Sequence, residues 1–232
     1  MPPTAAIVLA GGLGTRLRDA VPDRPKPIAE VAGRPFLAHL LDRLVAAPGL
    51  DTVILSVGYR HEMIRAALGD RHGRLRLCYS VEREPLGTGG GLRLALAAAE
   101  GEAVLVLNGD SLVDVDLAAL WRTHCRLGRP LTLTAVELPD IARYGALQLD
   151  DDRLVGFAAK GVPGPGWINA GIVAMQRDLF DRWSLPDRFS FEEDILAARL
   201  AELQPGVHRT TGFFIDIGVP EDYARAQTAL SG

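Results

Sequence analysis

Four short apolar runs, Ala5–Ala10, Thr52–Val57, Leu75–Val81 and Ala103–Leu107, alternate with stretches of helical periodicity. This alternation restricts the fold more than any other feature of the chain. Between the first two runs, Pro35–Ala46 carries Phe36, Leu37, Leu40, Leu41, Leu44 and Val45 at the spacing of one helix face. His61–Leu68 and Thr88–Ala99 read as the next two helices. Strand, helix and strand in strict succession predict parallel strands with helices on both faces, a doubly wound α/β sheet. The second half changes character. Leu131–Val136, Ala146–Leu149, Leu154–Phe157 and Ile168–Met175 read as strands joined by short turns, and Glu192–Leu203 and Pro220–Leu230 as helices. The expected sheet is therefore mixed, though mostly parallel. With 232 residues, 48% of them hydrophobic, the chain can bury a sizeable core, and residues 1–232 are expected to form one domain.

The composition excludes several classes of function. A formal net charge of −4 gives no basic footprint for nucleic acid. Cys78 and Cys125 lie far apart, without the spacing of a zinc site or a disulfide framework, which fits a reducing cytoplasm. No apolar run reaches the roughly 18 residues of a membrane span. The N-terminus lacks the basic region of a signal peptide. A cytoplasmic protein with small-molecule substrates is expected, with no nucleic acid or membrane partner; self-association is left open.

The strongest local signal is Leu9-Ala10-Gly11-Gly12-Leu13-Gly14-Thr15-Arg16-Leu17, followed by Pro25-Lys26-Pro27. Glycines after a first strand let backbone N–H groups approach phosphates closely. Arg16 offers a planar fork for phosphate oxygens. Two prolines restrict the backbone around Lys26. A P-loop would end in Gly-Lys-Ser/Thr, and a dinucleotide fingerprint would need glycine where Leu17 stands. The glycines alone would fit a tight turn with two surface cations.

Two carboxylates stand out. Asp110 ends the run Val106-Leu107-Asn108-Gly109-Asp110, and carboxyl ends of parallel strands are where open α/β sheets bind ligands. Asp216, between Ile215 and Ile217, would point away from both apolar neighbours in a strand. Asp114 and Asp116 read as a turn residue and a helix N-cap before Leu117. Glu82-Arg83-Glu84-Pro85-Leu86-Gly87-Thr88-Gly89-Gly90 follows the third strand and opens a helix, where a planar base could pack on glycine backbone and an anion on the helix N-terminus. His39, His61, His72, His124 and His208 share no metal-ligand spacing.

The Leu9–Arg16 stretch with Pro25-Lys26-Pro27 resembles the signature of the sugar-1-phosphate nucleotidyltransferases, and the resemblance runs nearly to the C-terminus. It implies a Rossmann-like sheet of the nucleotide-diphospho-sugar transferase type. The first half would bind a nucleoside triphosphate and the second a sugar 1-phosphate. Leu9, Gly11, Gly12, Gly14, Thr15 and Arg16 would then line the nucleotide, with Arg16 gripping the triphosphate and Lys26 near its α-phosphate. Glu82, Gly87 and Thr88 would read the base edge, and Asp110 and Asp216 would hold Mg²⁺. Gly145, Lys160 and Asn169 fall where the sugar phosphate is held. Outside that context Lys160 reads as an exposed lysine before a glycine loop. The family usually has a glutamate just before this lysine; Ala159 stands there and leaves the acceptor's identity open.

Ser56–Glu62, Glu84–Gly90 and Phe214–Tyr223 resemble the D-glycero-α-D-manno-heptose 1-phosphate guanylyltransferases. N-acetylmuramate 1-phosphate uridylyltransferases and mannose 1-phosphate guanylyltransferases share much of the pattern. An ionised Glu82 only accepts hydrogen bonds, which suits the two donors of guanine better than the one of uracil. Two other classes are weighed. A nucleotide-sugar sensor would need no catalytic charges, yet all are present. A glycosyltransferase would use a DxD such as Asp114-Val115-Asp116, but leaves the Gly11–Arg16 loop without a role.

Overall fold

The first apolar run forms β1 (Ala5–Leu9), buried on both faces: Ala6 and Val8 join one core, Ala5 and Ile7 the other. Such a strand must be apolar throughout, which is why it reads as a continuous run rather than an alternating one. The computed structural model describes residues 3–12, 14, 17 and 20–231. A 3-10 turn at Lys26–Ile28 and the short ladder of β2 (Glu30–Val31) and β3 (Arg34–Pro35) lead into α1 (Phe36–Val45). There follow β4 (Thr52–Val57), α2 (His61–Leu68), β5 (Arg71–His72), β6 (Leu75–Val81), α3 (Gly87–Leu96) and β7 (Ala103–Asn108). The second half contributes β8 (Ser111–Val113), α4 (Leu117–Leu127), β9 (Leu131–Leu138), β10 (Ala146–Asp150), β11 (Arg153–Ala158) and β12 (Gly166–Gln176). It closes with α5 (Leu200–Leu203), β13 (Gly206–Thr210), β14 (Phe214–Asp216) and α6 (Pro220–Ala229).

Among the described residues one ten-stranded sheet runs in the order β10-β11-β13-β9-β12-β7-β1-β4-β6-β5. In the first half β7, β1, β4 and β6 are parallel, as expected from the sequence. The chain moves outward from β1 through β4 to β6, with α1 and α2 on one face. It then returns across the sheet to β7, with α3 on the other. That reversal places a topological switch point at β1, and a crevice opens beyond the strand ends at such a point. The second half is mixed: β12 runs antiparallel to both β7 and β9, and β13 parallel to β9.

Two further elements follow their sequence logic. The α4 helix begins where Asp116 accepts from the N–H groups of Ala118 and Ala119, the expected N-cap. The expected helix Glu192–Leu203 is instead a π-helical segment, Phe191–Ala197, followed by the single turn α5. Phe191, Ile195 and Leu196 are all buried in one core. The wider i→i+5 pairing of a π segment lets Phe191, Ile195 and Leu196 share one buried face. Among the described residues no helix is long and apolar enough to cross a membrane.

The α1 helix shows how the core is held. Phe36, Leu37, Leu40, Leu41 and Leu44 are buried against the sheet, while Asp42 and Arg43 face solvent. Leu41 is fully buried. Leu41→Ala is expected to cost about 2–5 kcal/mol through lost burial and a residual cavity. Urea unfolding should show a lower midpoint at an unchanged slope.

Candidate active site

The crevice at the carboxyl ends of β1, β4, β6 and β7 is a cleft of about 930 Å³. Backbone hydrogen bonds carry the strand registers into the loops: Ala10 N–H to the Ser56 carbonyl (2.8 Å), Glu82 N–H to Val57 (2.8 Å) and Gly109 N–H to Leu9 (2.9 Å). The cleft floor is thus largely main chain. A Cβ on Gly109 would stand 2.7 Å from the Leu9 carbonyl, so only glycine lets the ends of β1 and β7 come this close.

Three charges meet at the cleft floor. Lys26 is presented by the 3-10 turn after Pro25, and its Nζ donates to Asp110 Oδ2 at 2.7 Å. Asp216 Oδ1 lies 3.8 Å from the same Nζ. Lys26 is 12% exposed and so largely withdrawn from water, whereas the Asp110 side chain is 42% exposed on the cleft side. Asp110 and Asp216 come from distant parts of the chain, joined by local ladder geometry: β14 pairs antiparallel with β8, Asp216 opposite Ser111, and Ile217 N–H donates to the Asp110 carbonyl at 2.9 Å. Ile215 and Ile217 are fully buried while Asp216 faces the cleft, the alternation expected of a strand. Burial, and then the neighbouring Asp110 charge, push the Asp216 carboxyl above its ordinary pKa, against the pull of Lys26.

Glu82 closes the far wall. Its Oε2 accepts from Leu86 N–H at 3.0 Å, and its Oε1 sits where a Cβ on Gly11 (2.8 Å) or Gly91 (2.5 Å) would collide with it. Gly87 and Thr88 line the cleft as expected, and the glycines of α3 also make a contact that the sequence does not announce. Gly87, at φ +73°, would bring a Cβ within 2.5 Å of the Phe189 carbonyl. A side chain on Gly89 would strike the Phe189 ring, and one on Gly90 the Asp187 carbonyl. The N–H groups of Gly89 and Gly90 both point to the Phe189 carbonyl, so this helix N-terminus is already capped by protein. The Thr88 hydroxyl donates to Glu192 (2.7 Å) and accepts from Phe191 N–H (2.9 Å).

Leu9, Gly11, Gly12, Gly14, Lys26, Glu82, Asp110 and Asp216 all line the cleft. Thr15 and Arg16 lie outside the described residues. Gly145, Lys160 and Asn169 do not line it. Lys160 is exposed at the end of the β10–β11 hairpin. Asn169 sits at a β-bulge of β12, its Oδ1 accepting from Gly171 N–H at 3.0 Å. Gly171, at φ +76°, packs that bulge against Asn108 and Ser111, the residues on either side of Gly109 and Asp110. Ser56, Tyr59, Asn108 and Glu192 also line the cleft and were not singled out in the sequence as site residues. Tyr59 and Ser56 follow or end an apolar run, a signal that could have found them. Glu192 has none, because its partner Thr88 lies far away in the chain.

Among the described residues no three His, Cys, Asp or Glu side chains gather as a metal cage. Asp110 and Asp216 nonetheless suit a hard cation that completes its shell with substrate oxygens. Asp216 Oδ1 is buried without a hydrogen-bond donor, the condition of a ligand atom in want of a cation.

A family model described as nucleotidyl transferase matches residues 5–231. The chain is 40% identical over 225 residues to a D-glycero-alpha-D-manno-heptose 1-phosphate guanylyltransferase of Aneurinibacillus thermoaerophilus, covering 97% of each chain. It is 38% identical over 219 residues to a protein of the same name from Campylobacter jejuni, covering 94% of this chain and 96% of the relative. Among solved structures, that of HddC from Yersinia pseudotuberculosis complexed with GMP-PN superposes with a TM-score of 0.85 at 33% identity, covering 97% of this chain and 99% of that one.

The raised pKa of Asp216 has a stability consequence of definite sign. A carboxyl that binds its proton more tightly when folded destabilises the fold once ionised. That cost is complete above the raised pKa and absent below the ordinary carboxylate value. Asp216→Asn is therefore expected to be more stable than the wild type at neutral pH. Urea titrations at neutral pH and at about pH 4 should show the difference shrinking at the lower pH.

Proposed function

The chain belongs to the nucleotidyl transferase family, and from that membership we propose that it joins GTP to D-glycero-α-D-manno-heptose 1-phosphate, releasing pyrophosphate and forming a GDP-heptose. The observation that carries this reading is the ammonium of Lys26 held beside Asp110 and Asp216 on the cleft floor. The relatives at 40% and 38% identity carry that activity in their names, and the Yersinia structure holds a guanine nucleotide analogue.

An oxygen of the acceptor phosphate attacks the α-phosphorus of GTP, the new P–O bond forms in line, and the bond to the β-phosphate oxygen breaks. The attacking phosphate is already ionised, so no general base is required and the protein's work is positioning and charge neutralisation. Lys26, largely desolvated, neutralises the α-phosphate. Arg16, in the glycine loop, steadies the departing pyrophosphate. Asp110 and Asp216 would hold Mg²⁺, which would supply positive charge to neutralise the phosphates. Glu82 offers an acceptor to the donors of the guanine edge. The Thr88 hydroxyl is committed to Glu192 and Phe191, so what Thr88 and Gly87 offer the base is main chain. Lys160 binds the acceptor phosphate, with Gly145 and Asn169 beside the sugar. The enzyme is cytoplasmic, where its nucleotide substrate is found.

Pyrophosphate release, measured with each nucleoside triphosphate against heptose, mannose, glucose and N-acetylmuramate 1-phosphates, tests the reading. Release is expected with GTP and the heptose phosphate, and abolished by chelation of Mg²⁺. Release only with another pair would displace the substrate assignment. Lys26→Ala and Asp110→Asn are each expected to lower turnover at least about 100-fold with the fold intact. Near-wild-type turnover in either variant would refute the catalytic assignment.

A further inference from the structure

The α6 helix joins three parts of the molecule. Tyr223 donates its hydroxyl to the Glu30 carbonyl at 2.6 Å, and Gln227 Nε2 donates to the same carbonyl at 2.8 Å. Gln227 Oε1 accepts from Ala32 N–H at 2.9 Å. These bonds fasten α6 to the β2–β3 ladder, just after the turn that presents Lys26. At its N-terminus α6 follows β14, which carries Asp216. The third joint is Asp222, in the first turn of α6.

Asp222 is 2% exposed, a rare burial for a carboxylate. Its Oδ2 accepts from Arg143 Nη2, and its Oδ1 lies 3.4 Å from Arg225 Nη2; both arginines are exposed. A buried ion pair adds little net stability over apolar groups of the same shape. The helix is moreover anchored without it, by Tyr223, Gln227 and the buried Ala226. The effect of the pair therefore falls on the Arg143 side, on the loop between β9 and β10. That loop is bonded to the segment after β11. Ile141 N–H donates to the Gly164 carbonyl at 3.0 Å, Gly161 N–H donates to the Ala142 carbonyl at 2.9 Å, and Asp140 Oδ1 accepts from Gly164 N–H at 3.2 Å. Lys160 directly precedes Gly161.

Beside Arg143, the Tyr144 ring meets the Phe214 ring edge to face, with centres 5.9 Å apart. Phe214 and Asp216 stand two residues apart in β14 and so share a strand face. The loop that Asp222 holds is thus packed on the face of the strand that carries Asp216. Burial, and then the charges of Asp222 and Asp216, push the Tyr144 hydroxyl above its ordinary pKa, in keeping with its nearness to both carboxylates.

We propose that Asp222 is a positioning residue for the acceptor: by holding Arg143 it fixes the 140–145 loop, and through it Gly145 and Lys160, relative to Asp216, so that a sugar 1-phosphate is seated at a set distance from that carboxylate. The inference rests on the nucleotidyl transfer proposed above. Asp222 touches neither substrate in this scheme, and its influence passes through Arg143. An in-line reaction between two bound phosphates loses rate steeply when one of them is misplaced. The nucleotide is held by the first half of the chain, so loss of the link is felt at the acceptor.

The test is steady-state kinetics with GTP and the heptose 1-phosphate on the full chain. Asp222→Asn and Arg143→Gln are each expected to raise the KM for the sugar phosphate about tenfold, with the KM for GTP within about twofold. The double variant should be no worse than either single one, because both remove the same contact. Arg143→Lys, which keeps the charge, should recover part of the loss. Arg143 is exposed, so Arg143→Gln serves if Asp222→Asn fails to fold. An unchanged sugar-phosphate KM in Arg143→Gln would overturn the proposal, as would an equal rise in both KM values, the pattern of a loop that only supports the fold. Hydrogen exchange supplies a readout free of the reaction. The Tyr144 and Gly161 amides should exchange faster in Arg143→Gln while those of α6 stay unchanged, and unaltered exchange would by itself refute the link. Failure of the parent reading looks different: the wild-type enzyme would then release no pyrophosphate with this pair, whatever the exchange shows.

Discussion

Asp110 and Asp216 repel one another, and the arrangement of the cleft follows from the need to hold them together. Two like charges a few ångströms apart cost several kcal/mol in a partly desolvated site unless a cation lies between them. Lys26 supplies that charge in the free protein. The surrounding structure delivers each of the three groups by a rigid route. Asp110 comes from the end of a fully buried parallel strand, Asp216 from a short ladder pinned to the same strand end, and Lys26 from a turn between prolines. The net result is two carboxylates from distant parts of the chain balanced by one ammonium.

Around that centre, main chain substitutes for side chains. Gly11 and Gly91 make room for the Glu82 carboxylate, Gly109 lets two strand ends meet, and Gly171 seats a bulge against Asn108 and Ser111. Backbone donors have fixed positions and lose no side-chain freedom when they bind, which suits a reaction that depends on alignment more than on proton transfer. The small residues of α3 extend the same principle outward, where Gly87, Gly89 and Gly90 let the 187–191 segment press onto the helix start.

The sequence made the framework readable because buried parallel strands leave long apolar runs. Thr52–Val57 and Leu75–Val81 match the observed strands residue for residue. Asp110, which ends an apolar run, and Asp216, set between Ile215 and Ile217, stand out against the same apolar background. What escaped was set by distant partners. β13, Gly-Val-His-Arg-Thr, has a single large apolar residue and owes its place to pairing with β9. The π-helical segment carries a pattern close to that of an α-helix, and its true period emerges only when Phe191 and Leu196 meet one core. Nothing local to the α3 glycines announces that Phe189 packs on them. Glu192 was invisible until its bond to Thr88 joined two halves of the chain.

The ladder between β8 and β14 also dictates when the site can exist. Ribosomes release a chain from its N-terminus, so the parallel strands, the glycine loop, Lys26 and Asp110 are all available to fold while β14 is still unmade. Until then Lys26 has only one of its two neighbouring carboxylates. The three-charge cluster is thus complete only once the last strand of the described residues is in place.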